Sequence, residues 1–165
     1  MRLAPSHIGL CISDLERSVR FYEGLGFQRR AKYTVSGQEI DQVLELPGTN
    51  MRGQFLQLDH LVIELLEILD PGIEGAFGHQ AFNRPGLTHL SFEVDDIQAA
   101  SHRIRALGGD DRMHTLTIFA EFGDGTNNGS KGMMCADPDG NRIELLKTSG
   151  RTGALSPRLC WEIDA

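Results

Sequence analysis

Two histidines stand 82 residues apart in matching surroundings, and two glutamates stand 80 residues apart in theirs. His7 opens the run His7-Ile8-Gly9-Leu10-Cys11-Ile12-Ser13-Asp14-Leu15, and His89 opens His89-Leu90-Ser91-Phe92-Glu93-Val94-Asp95-Asp96-Ile97. Apolar residues coincide at 8/90, 10/92, 12/94 and 15/97, and Asp14 falls on Asp96. Glu64 sits in Ile63-Glu64-Leu65-Leu66, and Glu144 sits in Ile143-Glu144-Leu145-Leu146. A single strand histidine is ordinarily structural. A carboxylate flanked by isoleucine and leucine is rarer, because carboxylates are seldom buried without a partner. Recurrence of both, in the same order, favours a joint role. Two imidazoles and two carboxylates form an N2O2 donor set suited to one divalent metal ion, which Zn, Ni, Co, Mn or Fe would satisfy.

Other candidates are weaker. His60 shares the parity of Glu64 but lies in the turn Leu58-Asp59-His60, and Glu67 points away from Glu64 by strand alternation and is expected at the surface. His79, His102 and His114 have no partner pattern. The segment Gly123-Asp124-Gly125-Thr126-Asn127-Asn128-Gly129 lacks the Gly-Lys-Ser/Thr of a phosphate loop and reads as a loop or lid. Cys11 shares the face of His7, with nothing to mark it as activated.

The repeat needs elements to carry it. Residues 7–13 and 89–95 alternate apolar and polar, which predicts strands with one buried face and the histidines on the other. Ser13-x-x-Glu16 has the spacing of a capping box, and Asp95 with Asp96 offers the same service in the second copy. Helical spacing of Ile97, Ala100, Ile104 and Leu107 follows, with glycines at 24, 26, 108 and 109 as stops. Three strands are then expected in each half, near 28–36, 51–58 and 61–68 with a helical insert at 38–46, and near 113–121, 131–136 and 142–148. Asp137-Pro138-Asp139-Gly140 is a strong turn signal between the last two. The expected order is βαβββ twice, an α+β fold of two tandem modules whose curved, partly closed mixed sheet surrounds a metal site. Residues 1–148 are read as one domain with repeats at about 5–69 and 87–148. Residues 149–165 form a tail that carries Leu159, Trp161 and Ile163.

Composition sets the outer bounds. The chain has 165 residues, 16 basic and 23 acidic, for a formal charge of −7. An acidic balance argues against a nucleic-acid backbone as partner. No apolar run reaches the roughly 20 residues of a membrane helix, so no membrane partner is expected. Met1-Arg2-Leu3-Ala4-Pro5-Ser6 has no secretory apolar stretch, and three scattered cysteines (Cys11, Cys135, Cys160) suit a reduced, cytoplasmic setting. A small-molecule substrate is the expected partner.

The runs Ser6-His7-Ile8-Gly9, Phe21-Tyr22-Glu23-Gly24-Leu25-Gly26-Phe27, Ile63-Glu64-Leu65-Leu66-Glu67, Thr88-His89-Leu90-Ser91-Phe92-Glu93-Val94-Asp95-Asp96-Ile97 and Asp137-Pro138-Asp139-Gly140-Asn141-Arg142-Ile143-Glu144-Leu145 resemble the vicinal oxygen chelate superfamily. That group includes glyoxalase I, methylmalonyl-CoA epimerase, extradiol dioxygenases and bleomycin-resistance proteins. The resemblance covers residues 6–148. It implies a glyoxalase-like fold, a homodimer, and one metal ion held by His7, Glu64, His89 and Glu144. It also implies a lyase or isomerase that moves a proton next to a carbonyl through a metal-stabilised enediolate, with Glu144 as first choice of base and Glu64 as its counterpart. The epimerase branch carries an acidic residue before the third strand. Here Leu46-Pro47-Gly48-Thr49-Asn50 has none, and Glu45 is the nearest. Two alternatives remain open: an Fe(II)-dependent extradiol-type dioxygenase, whose iron uses two histidines and one glutamate, and a metal-free small-molecule binding protein of the drug-resistance kind.

Overall fold

The computed structural model describes residues 1–75, 81–120 and 129–149. The first module runs β1 (Ile8–Cys11), α1 (Leu15–Gly24), β2 (Gln28–Ser36), α2 (Gln38–Leu44), β3 (Asn50–Leu58) and β4 (Leu61–Asp70). The second runs β5 (Leu90–Glu93), α3 (Ile97–Ala106), a short 3-10 turn (Met113–Thr115), β6 (Thr117–Ile118), β7 (Lys131–Ala136) and β8 (Arg142–Lys147). Each module folds into its own four-stranded sheet, ordered β1-β4-β3-β2 and β5-β8-β7-β6. In both, the first strand is parallel to the last, and the other neighbours are antiparallel. The expected βαβββ order therefore occurs twice. The expected loop at 123–128, His79 and the tail beyond Ser149 lie outside the described residues.

Local chemistry explains most boundaries. Asp14 caps α1 by accepting from the Arg17 backbone N–H, and Asp96 caps α3 by accepting from Gln98 and Ala99. Ser13, expected to be part of a capping box, is not the cap; Asp139, 126 residues away, takes its hydroxyl. Each helix buries one face: Leu15, Ser18, Val19, Phe21 and Tyr22 in α1, and Ile97, Ser101 and Ile104 in α3. In both modules the chain leaves the helix through glycine, at Gly26 and Gly108, with φ of 104° and 92° that side-chain-bearing residues rarely adopt. The strand expected at 113–121 is broken. Arg112 turns left-handed with φ 39°, and the Thr115 hydroxyl then donates to the Met134 carbonyl and accepts from the Met134 N–H. A side chain has taken the place of a ladder pair there.

The modules share one apolar core, in which Phe21, Tyr22 and Phe27 of the first join Ile104, Met133 and Cys135 of the second. Phe27 meets Phe92 edge-on at 6.0 Å between ring centroids. A buried polar cluster reinforces the join. Asp139, in the β7–β8 turn, accepts from the Ser13 N–H and hydroxyl, from Arg17 at 2.6 Å and from Ser18 at 3.1 Å. Beside it the Tyr22 hydroxyl donates to Asp137 at 2.9 Å, and Asn141 donates to Asp137 from both backbone and side chain. Burial pushes the Asp137 carboxyl above its ordinary range, and the donors from Asn141 and Tyr22 pull against it. A cavity of about 1210 Å³ lies elsewhere along the join, bounded by Phe27, Leu58, Leu61, Phe92, Arg103 and Ile104.

Close packing of this join makes one prediction. A Cβ built on Gly109 would stand 2.4 Å from the Ala136 carbonyl oxygen and 2.9 Å from the Phe21 ring of the other module. Backbone cannot give way as a flexible side chain can. Gly109→Ala is expected to lose about 1–3 kcal/mol of stability, read as a lower urea midpoint.

Candidate metal centre

The first pair of site residues lies where β1 meets β4. Gly9 is the register partner of Glu64, so no side chain on β1 stands directly beside the carboxylate. His7, just before β1, reaches it, and Nε2 lies 3.1 Å from Glu64 Oε2. The Ser6 hydroxyl bonds the other ring nitrogen, Nδ1, at 2.9 Å, and the Phe55 ring meets the imidazole edge-on at 5.2 Å. Tyr33 on β2 donates its hydroxyl to Glu64 Oε1 at 2.7 Å. Burial and that hydrogen bond both push the Tyr33 phenol well up, so it remains a donor at neutral pH. Both carboxylate oxygens of Glu64 are thus engaged.

The second pair repeats the plan with different neighbours. His89 precedes β5, and Ser91 is the register partner of Glu144 on β8. His89 Nε2 lies 3.4 Å from Glu144 Oε2, and the Ser91 hydroxyl donates to the same oxygen at 2.7 Å. The Thr88 hydroxyl bonds His89 Nδ1 at 2.8 Å. Phe82 packs against the imidazole, and the Arg142 guanidinium lies over the Phe82 ring at 4.2 Å.

These arrangements match what metal ligation asks of a histidine. A hydroxyl on Nδ1 fixes the ring plane and leaves Nε2 directed at the carboxylate, the orientation a metal-binding imidazole needs. The side chains stay reachable, with His7 35% and His89 27% exposed. The four residues come together as two pairs, one on each sheet. Among the described residues, no group of three or more His, Cys, Asp and Glu side chains gathers as a metal site. Among the described residues the four expected ligands therefore stand as two separate His–Glu pairs, each with one nitrogen and one carboxylate. The cause lies in the sheets: among the described residues β1 pairs with β4 alone and β5 with β8 alone, so the strands beside the histidines do not join.

Ser6, Thr88, Ser91 and Tyr33 are contributors that pattern reading missed. A signal for two of them was present, because a hydroxyl residue stands immediately before each repeated histidine. The weaker candidates stay apart from both pairs. His60 is exposed in the β3–β4 turn and lines the cavity between the modules, while His102 and His114 are exposed. Glu67, expected at the surface, is buried and paired with Arg52. Glu45, the carboxylate nearest Leu46–Asn50, is exposed at the end of α2 in a left-handed conformation. Cys11 is exposed as a residue, but partial desolvation of its thiol and the nearby Asp139 charge raise it, the reverse of an activated nucleophile.

A family model described as the Glyoxalase/Bleomycin resistance protein/Dioxygenase superfamily matches residues 4–145. The chain belongs to that superfamily. Among curated proteins, the mitochondrial methylmalonyl-CoA epimerase of Homo sapiens is 28% identical over 97 residues. That stretch is 58% of this chain and 48% of the human protein, so the match spans about half the length of that relative. Among solved structures, a glyoxalase family protein from Bacillus cereus superposes with a TM-score of 0.73 at 18% identity, covering 91% of this chain and 97% of that one. The fosfomycin resistance protein FosX of Listeria monocytogenes, solved with Mn(II) and sulfate, superposes with a TM-score of 0.53 at 18% identity, covering 96% and 99%. At such identities the structural likenesses speak to the fold, which agrees with the paired modules. Superfamily membership brings in metal-dependent enzymes that act on small molecules. No helix among the described residues is long and apolar enough to cross a membrane.

Proposed function

We propose that this superfamily member is a divalent-metal-dependent isomerase or lyase that moves a proton on a carbon next to a carbonyl. The observation that carries the reading is the duplicated half-site, a histidine with its Nδ1 held by a hydroxyl and its Nε2 facing a glutamate, built once on each sheet. His7, Glu64, His89 and Glu144 are the ligands in this reading. Two copies of the chain complete each site, with β1 of one copy beside β5 of the other. Both strands lie at sheet edges left unpaired among the described residues, which supports that arrangement. The Mn(II) held by the structurally similar FosX and the epimerase relative support the metal and the reaction class.

When bound, a divalent cation supplies Lewis acidity for negative charge that develops on a substrate carbonyl oxygen. Proton movement falls to the carboxylates. Glu64 has Tyr33 on one oxygen and His7 on the other, which leaves it little freedom. In Glu144 both Ser91 and His89 contact Oε2. Glu144 is accordingly the residue assigned to take a proton from the substrate and return it, a role worth about 100- to 10,000-fold in rate.

The test is metal analysis of protein reconstituted with Zn, Ni, Co, Mn or Fe, followed by solvent-deuterium exchange into a panel of thioesters and hemithioacetals. The expected result is a bound metal that is lost in His89→Ala, and metal-dependent exchange into at least one substrate class. Unchanged metal content in His89→Ala would overturn the ligand assignment. Oxygen uptake with Fe(II) and catechols, without proton exchange, would replace the reaction class with the dioxygenase one.

A further inference from the structure

The structure assigns to Tyr33 the role of a positioning residue that holds Glu64 in place as a metal ligand, with Gly53 as the gap that lets it reach. This inference rests on the metal-site reading above. Tyr33 sits on β2 and Glu64 on β4, with β3 between them. To cross β3, the ring must pass over Gly53, the register partner of Tyr33. A Cβ built on Gly53 would fall 2.4 Å from both the Tyr33 hydroxyl oxygen and the ring carbon that bears it, a separation that real Cβ atoms do not show. Any side chain there would push the phenol off its line. Gly53 has no positive φ to require glycine, so the space it leaves is its distinctive contribution. Phe55, two residues on, flanks the Tyr33 ring with centroids 5.8 Å apart and also meets His7, so one aromatic wall supports both partners of Glu64.

The second module shows what the hydroxyl adds. Gly132 on β7 pairs with Leu146 as Gly53 pairs with Leu66, and it too has an aromatic ring lying over it. That ring is Phe119, whose nearest carbon is 2.8 Å from a Cβ built on Gly132. The glycine-and-ring device therefore occurs in both sheets, and only the first carries a phenol. Glu144 instead receives its hydrogen bond from Ser91, at the register position where the first module has Gly9. One carboxylate is held from across the sheet, the other from the edge strand. Ligating carboxylates need such outer partners, whose loss costs about 10- to 100-fold in metal affinity.

Tyr33→Phe removes one oxygen and keeps the ring, and Gly53→Ala keeps the phenol and closes its path. Both are to be titrated with Co(II) beside the wild type, with affinity and the visible absorption bands of the bound ion as readouts and circular dichroism as the folding check. Tyr33→Phe is expected to bind Co(II) about tenfold more weakly, with shifted bands and an unchanged fold. Gly53→Ala, where folded, is expected to show the same shift. A Tyr33→Phe protein with wild-type affinity and spectrum overturns the inference, whatever Gly53→Ala does. Failure of the wild type itself to bind Co(II) overturns the metal-site reading, and the positioning role falls with it; the two failures are told apart by the wild-type titration.

Discussion

Co-expression of His7→Ala chains with His89→Ala chains is expected to restore about a quarter of wild-type sites, although each variant alone has none intact. Alone, each should lose at least about 100-fold in metal-dependent exchange, because even an outer partner of a ligand is worth about 10- to 100-fold. The recovery follows from where the two half-sites lie. If a complete site takes His7 and Glu64 from one copy and His89 and Glu144 from the other, a mixed dimer contains one site built from two undamaged halves. Its other site is built from two damaged halves. Random pairing makes about half of all dimers mixed, hence about one site in four. Metal content should follow the same fraction, independently of substrate. If instead each chain completes its own site, every site in the mixture carries one damaged half and neither activity nor metal returns. The within-chain separation of the pairs makes the first outcome the expected one.

Asp139→Ala is expected to cost about 3 kcal/mol, the largest stability effect of any single substitution considered. Its carboxylate is 2% exposed and faces Ser13, Arg17 and Ser18, so removal leaves several buried donors without their acceptor. For a chain of this size, the melting temperature should fall by about 6–12 °C. Arg17→Ala should cost less, because the Arg17 side chain is 39% exposed and water replaces part of what is lost. A urea series with an unchanged slope would assign the loss to the folded state. Equal effects for the two variants would contradict the buried-acceptor account and point to a simple surface ion pair.

Periodicity and repetition made the architecture and the four ligand candidates legible, because both are local signals that occur twice. What stayed hidden depends on residues far apart in the chain. Ser13 looks like a cap until Asp139 claims its hydroxyl, and the cap moves one residue on to Asp14. Residues 113–121 look like a strand until Thr115 bonds Met134 through its side chain. Glu67 looks solvated by alternation alone, but it is 10% exposed and paired with Arg52, its 35%-exposed register partner on the neighbouring strand. The role of Tyr33 is invisible in one dimension, since its reach depends on an absent side chain at Gly53, one strand away. That the four candidates gather in pairs rather than as a foursome is set by which strand edges pair, and no repeat offset encodes that.

The cluster at Asp139 also determines which module recognises which. By the 82-residue offset, the places of Ser13, Arg17, Ser18 and Tyr22 are taken in α3 and its lead-in by Asp95, Ala99, Ala100 and Ile104. A pairing of two second modules would set Asp139 against a like charge and two alanines, which offer no side-chain donor. In a pairing of two first modules, the 80-residue offset puts Asp59 in the place of Asp139 but Gln57 in that of Asp137, so the Tyr22 hydroxyl would meet a neutral amide instead of a carboxylate. Only the unlike pair sets two carboxylates, Asp137 and Asp139, against the donors of Ser13, Arg17, Ser18 and Tyr22, so the two modules of the chain favour each other over a copy of themselves.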